Sequence, residues 1–296
     1  MKALVLSGGG AKGAYQMGAV KYLLGEKQEI YDIISGTSVG ALNGSFLSMY
    51  PAGKEIEASA DLEKMWLSID NSKIWRKWYY GLLWMFPVIL PRWLGGKQST
   101  YSTAPLKKLI ANNLKPEAIK SSGKKLRVGA VNLNSGYRHV WTEGDSGQIR
   151  AAVLASSSFP IFFEPVMIDG NVYTDAGVQE VSPIMDAIEA GATEIHLITN
   201  SPDQVVGQFD PKSNGLALAG RMVETMLFEI EKWDINTVEL YNALVDAGKA
   251  PGKVKVKLVV LRPKQALLED SLNFDPAFIR TNIDRGYNDA KELWEK

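Results

Sequence analysis

Two short glycine-rich motifs hold the residue types and spacings that can do chemistry. The first, Gly8-Gly9-Gly10-Ala11-Lys12-Gly13, follows the apolar run Lys2 to Ser7. Its Gly8, Gly10 and Gly13 satisfy the G-x-G-x-x-G spacing of a dinucleotide-binding turn. That reading also needs an acid at the end of the second strand to hold a ribose. Here Asp32 stands at the strand's beginning, and the strand ends in Ile33-Ile34-Ser35. A phosphate-cradling P-loop needs Gly-Lys followed by Ser or Thr, whereas Lys12 is followed by Gly13 and Ala14. What remains is a run of glycines that lets backbone N–H groups crowd at a helix N-terminus, where they and the helix dipole can receive a developing oxyanion.

The second motif, Gly36-Thr37-Ser38-Val39-Gly40, has the G-x-S-x-G form of a nucleophile elbow, with a strand-like run before it and a helical pattern after it. The flanking glycines permit the strained turn that lifts the Ser38 hydroxyl out of the backbone. A serine needs a base. The chain has no cysteine and only two histidines, so His139 and His196 are its sole imidazoles. His196 lies in the buried-strand pattern Glu194 to Ile198, and His139 lies mid-strand beside Val140-Trp141; packing suits both better than catalysis. A carboxylate is the economical alternative, provided the site is dry enough to raise its pKa. Asp175 ends a strand and is followed by the small pair Ala176-Gly177, and strand ends are where α/β folds present catalytic groups. Its rival, Asp169, heads Asp-Gly-Asn, a good hairpin turn.

Together these residues resemble the patatin-like phospholipase family. The match consists of Gly8 to Gly13 as oxyanion loop, Gly36 to Gly40 as elbow, and Asp175-Ala176-Gly177 where the family has Asp-Gly-Gly or Asp-Gly-Ala. Between them, Ala155-Ser156-Ser157-Ser158-Phe159-Pro160 and Val166 to Gly170 resemble the segment leading to the family's aspartate. The resemblance implies a Ser38–Asp175 dyad without histidine, no metal and no cofactor, and an oxyanion hole from Gly8, Gly9, Gly10 and Ala11, with Lys12, Gly13, Gly36, Gly40 and Gly177 completing the motifs. It implies hydrolysis of a lipid ester through an acyl-enzyme. An esterase or acyltransferase for smaller acyl groups, and a non-catalytic acyl- or nucleotide-binding protein, remain the alternatives. Ala176 departs from the family's glycine and is a strain point if that backbone needs a positive φ.

The elements that must position these groups are legible as alternating patterns of a three-layer α/β/α fold with a mostly parallel central sheet. Strands are expected at Lys2 to Ser7, Ile30 to Ser35, Thr193 to Thr199 and Val254 to Leu261. Hairpins are expected at Leu126 to Thr142, around Asn134-Ser135-Gly136, and at Asp169-Gly170-Asn171. Helices are expected after the first glycine motif up to Gly25, at Val39 to Met49, around Leu62 to Ile69, and at Gly215 to Asp246. Further helices are expected to start at Asp275-Pro276, at Ser182-Pro183 with Ser182 as N-cap, and at Gln148 under an Asp145/Gln148 capping box. With no internal repeat or low-complexity linker, one domain over 1–296 is expected, with its catalytic motifs within 2–200, an insertion near 71–116 and an extension over 201–296.

Composition narrows the partners. The 296 residues are 46% hydrophobic and 22% charged, with 33 Lys+Arg against 33 Asp+Glu, which disfavours a dedicated nucleic-acid binder. The balance hides a division: residues 71–127 carry twelve Lys and Arg against Glu117 alone, and residues 169–239 carry thirteen acids against three bases. Residues 71–116 mix eight bases with Trp75, Trp78, Trp84 and Trp93 and lack acids, a composition suited to peripheral contact with an anionic membrane, to a lid, or to packing. The first apolar stretch is too short for a signal peptide, and the run Gly81 to Leu90 is about half a membrane span, so a cytoplasmic location is expected.

Overall fold

Apolar runs ended by glycine-rich turns become strands, and the stretches between them that repeat every three to four residues become helices. The computed structural model describes residues 1–77, 99–204, 210, 215–267 and 271–295. In chain order these form β1 (Lys2–Leu6), α1 (Gly13–Val20), β2 (Ile33–Gly36), α2 (Val39–Leu47), α3 (Glu55–Leu67), α4 (Asn71–Ile74), β3 (Arg76–Lys77) and β4 (Tyr101–Ser102). There follow α5 (Ala104–Asn113), α6 (Pro116–Ser121), β5 (Lys125–Asn132), β6 (Arg138–Thr142), α7 (Ile149–Ser156), β7 (Val166–Ile168) and β8 (Asn171–Asp175). The chain continues through α8 (Ile184–Glu189), β9 (Glu194–Ile198), α9 (Gly215–Asp246), β10 (Lys257–Leu261) and α10 (Pro276–Trp294). A 3-10 turn at Gly10–Lys12 leads into α1, which continues past its last α-helical residue as a π-helical stretch, Lys21–Glu26.

The main sheet has the order β10-β9-β1-β2-β5-β8-β7, with β6 also paired to β5. Strands β10, β9, β1, β2 and β5 are parallel, while β6 and β8 run antiparallel to β5. Alternation along β1 separates the two cores: Leu4 and Leu6 face the layer of α1, α2, α3 and α10, and Ala3 and Val5 face the layer of α8 and α9. This is a three-layer α/β/α arrangement.

One detail of register positions the site. Arg127 and Val128 of β5 pair with both β2 and β6, and Ala130 and Val131 pair with both β6 and β8. A strand has two edges, so β2 and β8 must share the edge of β5 opposite β6. One is parallel to β5 and the other antiparallel, so they run toward each other and meet end to end. Gly36 closes β2 opposite Val128, and Asp175 closes β8 opposite Ala130, two positions further on.

The C-terminal part is woven into the same layers. β10 extends the sheet beside β9, and α10 crosses α1 so closely that a methyl on Gly18 would meet the Ile283 carbonyl and one on Gly286 the Tyr15 carbonyl. Helix α10 starts at Asp275-Pro276 as expected, and Asp275 caps it, accepting from the Ala277 and Phe278 N–H groups. Two capping expectations are overturned. Asp145 accepts from the Thr142 N–H and hydroxyl, closing the turn after β6, and Gln148 accepts from Trp141 Nε1, so neither side chain caps α7. Ser182 donates its hydroxyl to Glu231 and leaves α8 without a side-chain cap. Asp145 is taken by a competing local turn, and Ser182 by a tertiary partner.

Candidate active site

At the β2–α2 turn Ser38 adopts φ 57° and ψ −122°, a conformation that a non-glycine residue holds only when its surroundings enforce it. The enforcement is visible. A methyl on Gly36 would run into the Gly40 peptide, and one on Gly40 into the Leu6 carbonyl, so both positions require glycine. The Thr37 N–H donates to Leu6 O (3.2 Å) and its hydroxyl to Glu180 O (3.1 Å). The Ser38 N–H donates to Ser156 Oγ (3.0 Å), and Ser157 Oγ donates back to the Ser38 carbonyl (3.3 Å).

Asp175 arrives from the opposite direction on β8 and is 1% exposed. Its N–H donates to Ser158 O (3.1 Å), and its Oδ1 accepts from the Gly177 N–H (2.8 Å). Its Oδ2 is buried with no hydrogen bond of ordinary geometry. Burial pushes the carboxyl up to about 7, opposed by the Gly177 amide and by the Ser38 hydroxyl, the side chain whose hydrogen bonding favours the charged form. Ala176 begins a 3-10 turn and has no positive φ, so its methyl brings none of the strain that its departure from glycine raised.

The glycine loop is less uniform than its sequence. The Gly8 N–H donates to Val181 O (3.0 Å) and the Ala11 N–H to Ser271 O (2.7 Å), so two of the four expected oxyanion donors are already committed to backbone carbonyls. Among the described residues no backbone carbonyl pairs with the Gly9 or Gly10 amide. Both residues have positive φ, 153° and 58°. Gly8 lies against Ser38: a methyl there would stand 3.5 Å from Ser38 Cβ. Gly13 lies under Val39, joining the loop to the elbow, and Lys12 sits half-buried in the 3-10 turn.

Sequence reasoning missed Asn200, just beyond β9. Its Nδ2 donates to the Gly8 carbonyl (2.9 Å) and its N–H to Ser7 Oγ (3.0 Å), while its Oδ1 is buried without a partner. In a trans peptide the C=O and N–H point opposite ways, so holding the Gly8 carbonyl fixes the direction of the Gly9 N–H. Its place at a strand's C-terminal end was the available signal. A second missed group lies beneath the Asp175 loop. Asp234 accepts from the Val181 and Ser182 N–H groups (both 2.8 Å), and Arg138 forks onto Asp186 (2.6 Å to each oxygen) beside Glu180 (2.7 Å). Burial raises Glu231, Asp234 and Glu180 to about 7, 7 and 8.

Both histidines stand apart. His196 is buried, its Nδ1 2.8 Å from the Tyr31 hydroxyl and its ring against Trp294, and burial lowers its pKa. His139 is exposed on β6, against Trp141 and on the edge of β5 away from β8. Asp169 forms the β7–β8 turn with φ 47°, followed by Gly170 with φ 78°, the pair of positive φ values of a type I′ turn. Of the aromatic and basic segment, Trp75 packs inward on Tyr101 (4.6 Å between ring centroids) and donates Nε1 to Leu272 O (3.0 Å), and α5 buries Leu106, Leu109 and Ile110. Residues 78–98, with Trp78, Trp84 and Trp93, lie outside the described residues. Among the described residues no helix is long and apolar enough to cross a membrane, and no group of three or more His, Cys, Asp or Glu is placed to hold a metal.

Comparison with known proteins gives three findings. A family model described as patatin-like phospholipase matches residues 4–188. The uncharacterized protein YqhO of Bacillus subtilis is 27% identical over 240 residues, 75% of this chain and 79% of that protein. The crystal structure of VipD from Legionella pneumophila aligns over 99% of this chain with a TM-score of 0.49 at 14% identity, and the chain spans 66% of VipD's length.

Proposed function

Because the chain belongs to the patatin-like phospholipase family, we propose that it is a lipid acyl hydrolase that opens carboxylic esters through a Ser38–Asp175 dyad. The observation that carries this reading is the buried Asp175 carboxyl, titrating near 7, with one oxygen unpartnered and the Ser38 hydroxyl acting on it. Asp175 takes the hydroxyl proton as Ser38 Oγ attacks the ester carbonyl carbon. The Gly9 and Gly10 N–H groups receive the oxyanion, with Gly8 and Ala11 holding the loop rather than the substrate. Collapse expels the alcohol, which takes the proton from Asp175. Water then repeats the sequence on the acyl-enzyme and frees the fatty acid.

A lipid acyl group is favoured over a small one by the apolar segment of Phe159, Ile161 and Phe162. This segment continues directly from Ser156, which holds the Ser38 amide; Ile161 and Phe162 are exposed, and the Phe159 and Phe162 rings stand 6.3 Å apart. The decisive experiment is labelling with a fluorophosphonate probe followed by peptide mapping. Adduct on Ser38, lost in Ser38→Ala and in Asp175→Asn, is the expected result. Absence of labelling in active-site-intact protein removes the hydrolase reading and leaves a binding protein.

A further inference from the structure

Residues 179–183, between the 3-10 turn Ala176–Val178 and α8, belong to no helix or strand, so their backbone polar groups need partners from outside regular structure. The partners they find belong to the candidate site. Gln179 and Glu180 donate their N–H groups back to Ala176 O (2.8 and 2.9 Å), tying the segment to the residue after Asp175. The Glu180 carbonyl accepts from the Thr37 hydroxyl of the elbow (3.1 Å), and the Val181 carbonyl accepts from the Gly8 N–H of the glycine loop (3.0 Å). Three motifs far apart in sequence meet on one short segment.

A single carboxylate oxygen aims both of those carbonyls. Asp234 Oδ2 accepts from the Val181 N–H and from the Ser182 N–H, each at 2.8 Å. The Val181 N–H shares its peptide unit with the Glu180 carbonyl, and the Ser182 N–H shares its unit with the Val181 carbonyl. There is no cis bond among the described residues, so the N–H and C=O of each unit point opposite ways. Drawing both N–H groups onto Asp234 therefore turns both carbonyls away from it, one onto Thr37 and the other onto Gly8. Gly8 is then held at both ends, its N–H by Val181 O and its carbonyl by Asn200 Nδ2 (2.9 Å).

The carboxylate is itself well anchored. On α9, Asp234 stands three residues after Glu231 and four before Val238, the spacing that puts all three on one helix face. Glu231 accepts from the Ser182 hydroxyl (3.1 Å), and Val238 is buried in the core between α8, α9 and the sheet. The helix lies beyond residues 4–188, where the family model matches, so this brace belongs to the C-terminal part of the chain rather than to the motifs. We propose that Asp234 is a positioning residue for acyl transfer: without touching substrate, it holds the elbow, the glycine loop and the turn after Asp175 in one register. The proposal rests on the Ser38–Asp175 reading.

The test reads kcat and KM on a p-nitrophenyl ester, with sites counted by fluorophosphonate titration so that misfolded protein drops out. Asp234→Ala is expected to lower kcat about ten- to a hundredfold with KM within about twofold of wild type, and to slow labelling of Ser38 alongside. Asp234→Asn removes the same charge but keeps an oxygen for the two N–H groups, and is expected to bring kcat back to within about threefold of wild type. Val238→Ala loosens the same helix without touching the segment, so a lower melting temperature with unchanged kcat is expected. Where Asp234→Ala does not fold, Asp234→Glu, which moves the acceptor out by one methylene, is expected to show the loss. Unchanged kcat per titrated site in the variant that is read, a loss in Asp234→Asn equal to that of Asp234→Ala, or the same loss in Val238→Ala overturns the proposal and leaves the dyad standing. Wild type that is not labelled at Ser38 overturns the dyad, and the proposal with it.

Discussion

The base role proposed for Asp175, in surroundings that resist its charge, is measurable on both counts. With the carboxyl titrating near 7, kcat/KM is expected to rise about tenfold per pH unit below 7 and level off above it, because the proton-accepting form is the ionised one. Stability runs the other way. The folded carboxyl keeps its proton from the ordinary 3.8 up to about 7, while the unfolded one gives it up. The group's contribution is therefore full below 3.8 and falls as pH rises through 7. Asp175→Asn removes that loss. It is expected to lower kcat by at least about 10³-fold while melting above wild type, by a larger margin at pH 8 than at pH 4. Asn200 acts through the Gly9 amide, so Asn200→Ala is expected to lower kcat by about ten- to a hundredfold with KM nearly unchanged. A KM effect of the same size would assign Asn200 to substrate binding instead.

Glycine-mediated approach of one backbone to another sets the geometry between elements. Gly36, Gly40, Gly18 and Gly286 each lie where a methyl would strike main-chain atoms, and main chain cannot step aside as a flexible side chain can. Gly286→Ala is expected to destabilise by about 1–3 kcal/mol in urea titration, by prising α10 off the helix that starts at the glycine loop. Gly220→Ala, on an open part of α9, is the matched control: no atom lies within 4 Å, and a gain of up to about 1 kcal/mol is expected from helix propensity. Most elements were legible as patterns, including the hairpin at Asp169-Gly170 and the helix start at Asp275-Pro276. The caps assigned to Asp145 and Ser182 were not: Asp145 is taken by a competing local turn to Thr142, and Ser182 by Glu231, which lies outside any local window that a capping rule inspects.

At the scale of the molecule, the two histidines separate packing from catalysis. His196→Ala is expected to lower stability by about 1–3 kcal/mol through the lost Tyr31 bond and ring packing. His139→Ala, at the surface, is expected to change it by less than about 0.5 kcal/mol. Neither should alter kcat of the folded protein, read by active-site titration so that only folded enzyme is counted. A large kcat loss in either would remove the histidine-free dyad. The motifs themselves, the order of strands and helices, and the hairpin turn at Asp169 came from the sequence alone, because turn chemistry and periodicity are local properties written in neighbouring residues. Only the tertiary structure decided which glycine amides are free, that Asn200 aims one of them, and that β2 and β8 meet end to end on one edge of β5. Those depend on hydrogen-bond partners scores of residues away, such as Val181 for Gly8 and Ser271 for Ala11, and no local rule can assign a donor whose acceptor is brought to it by the fold.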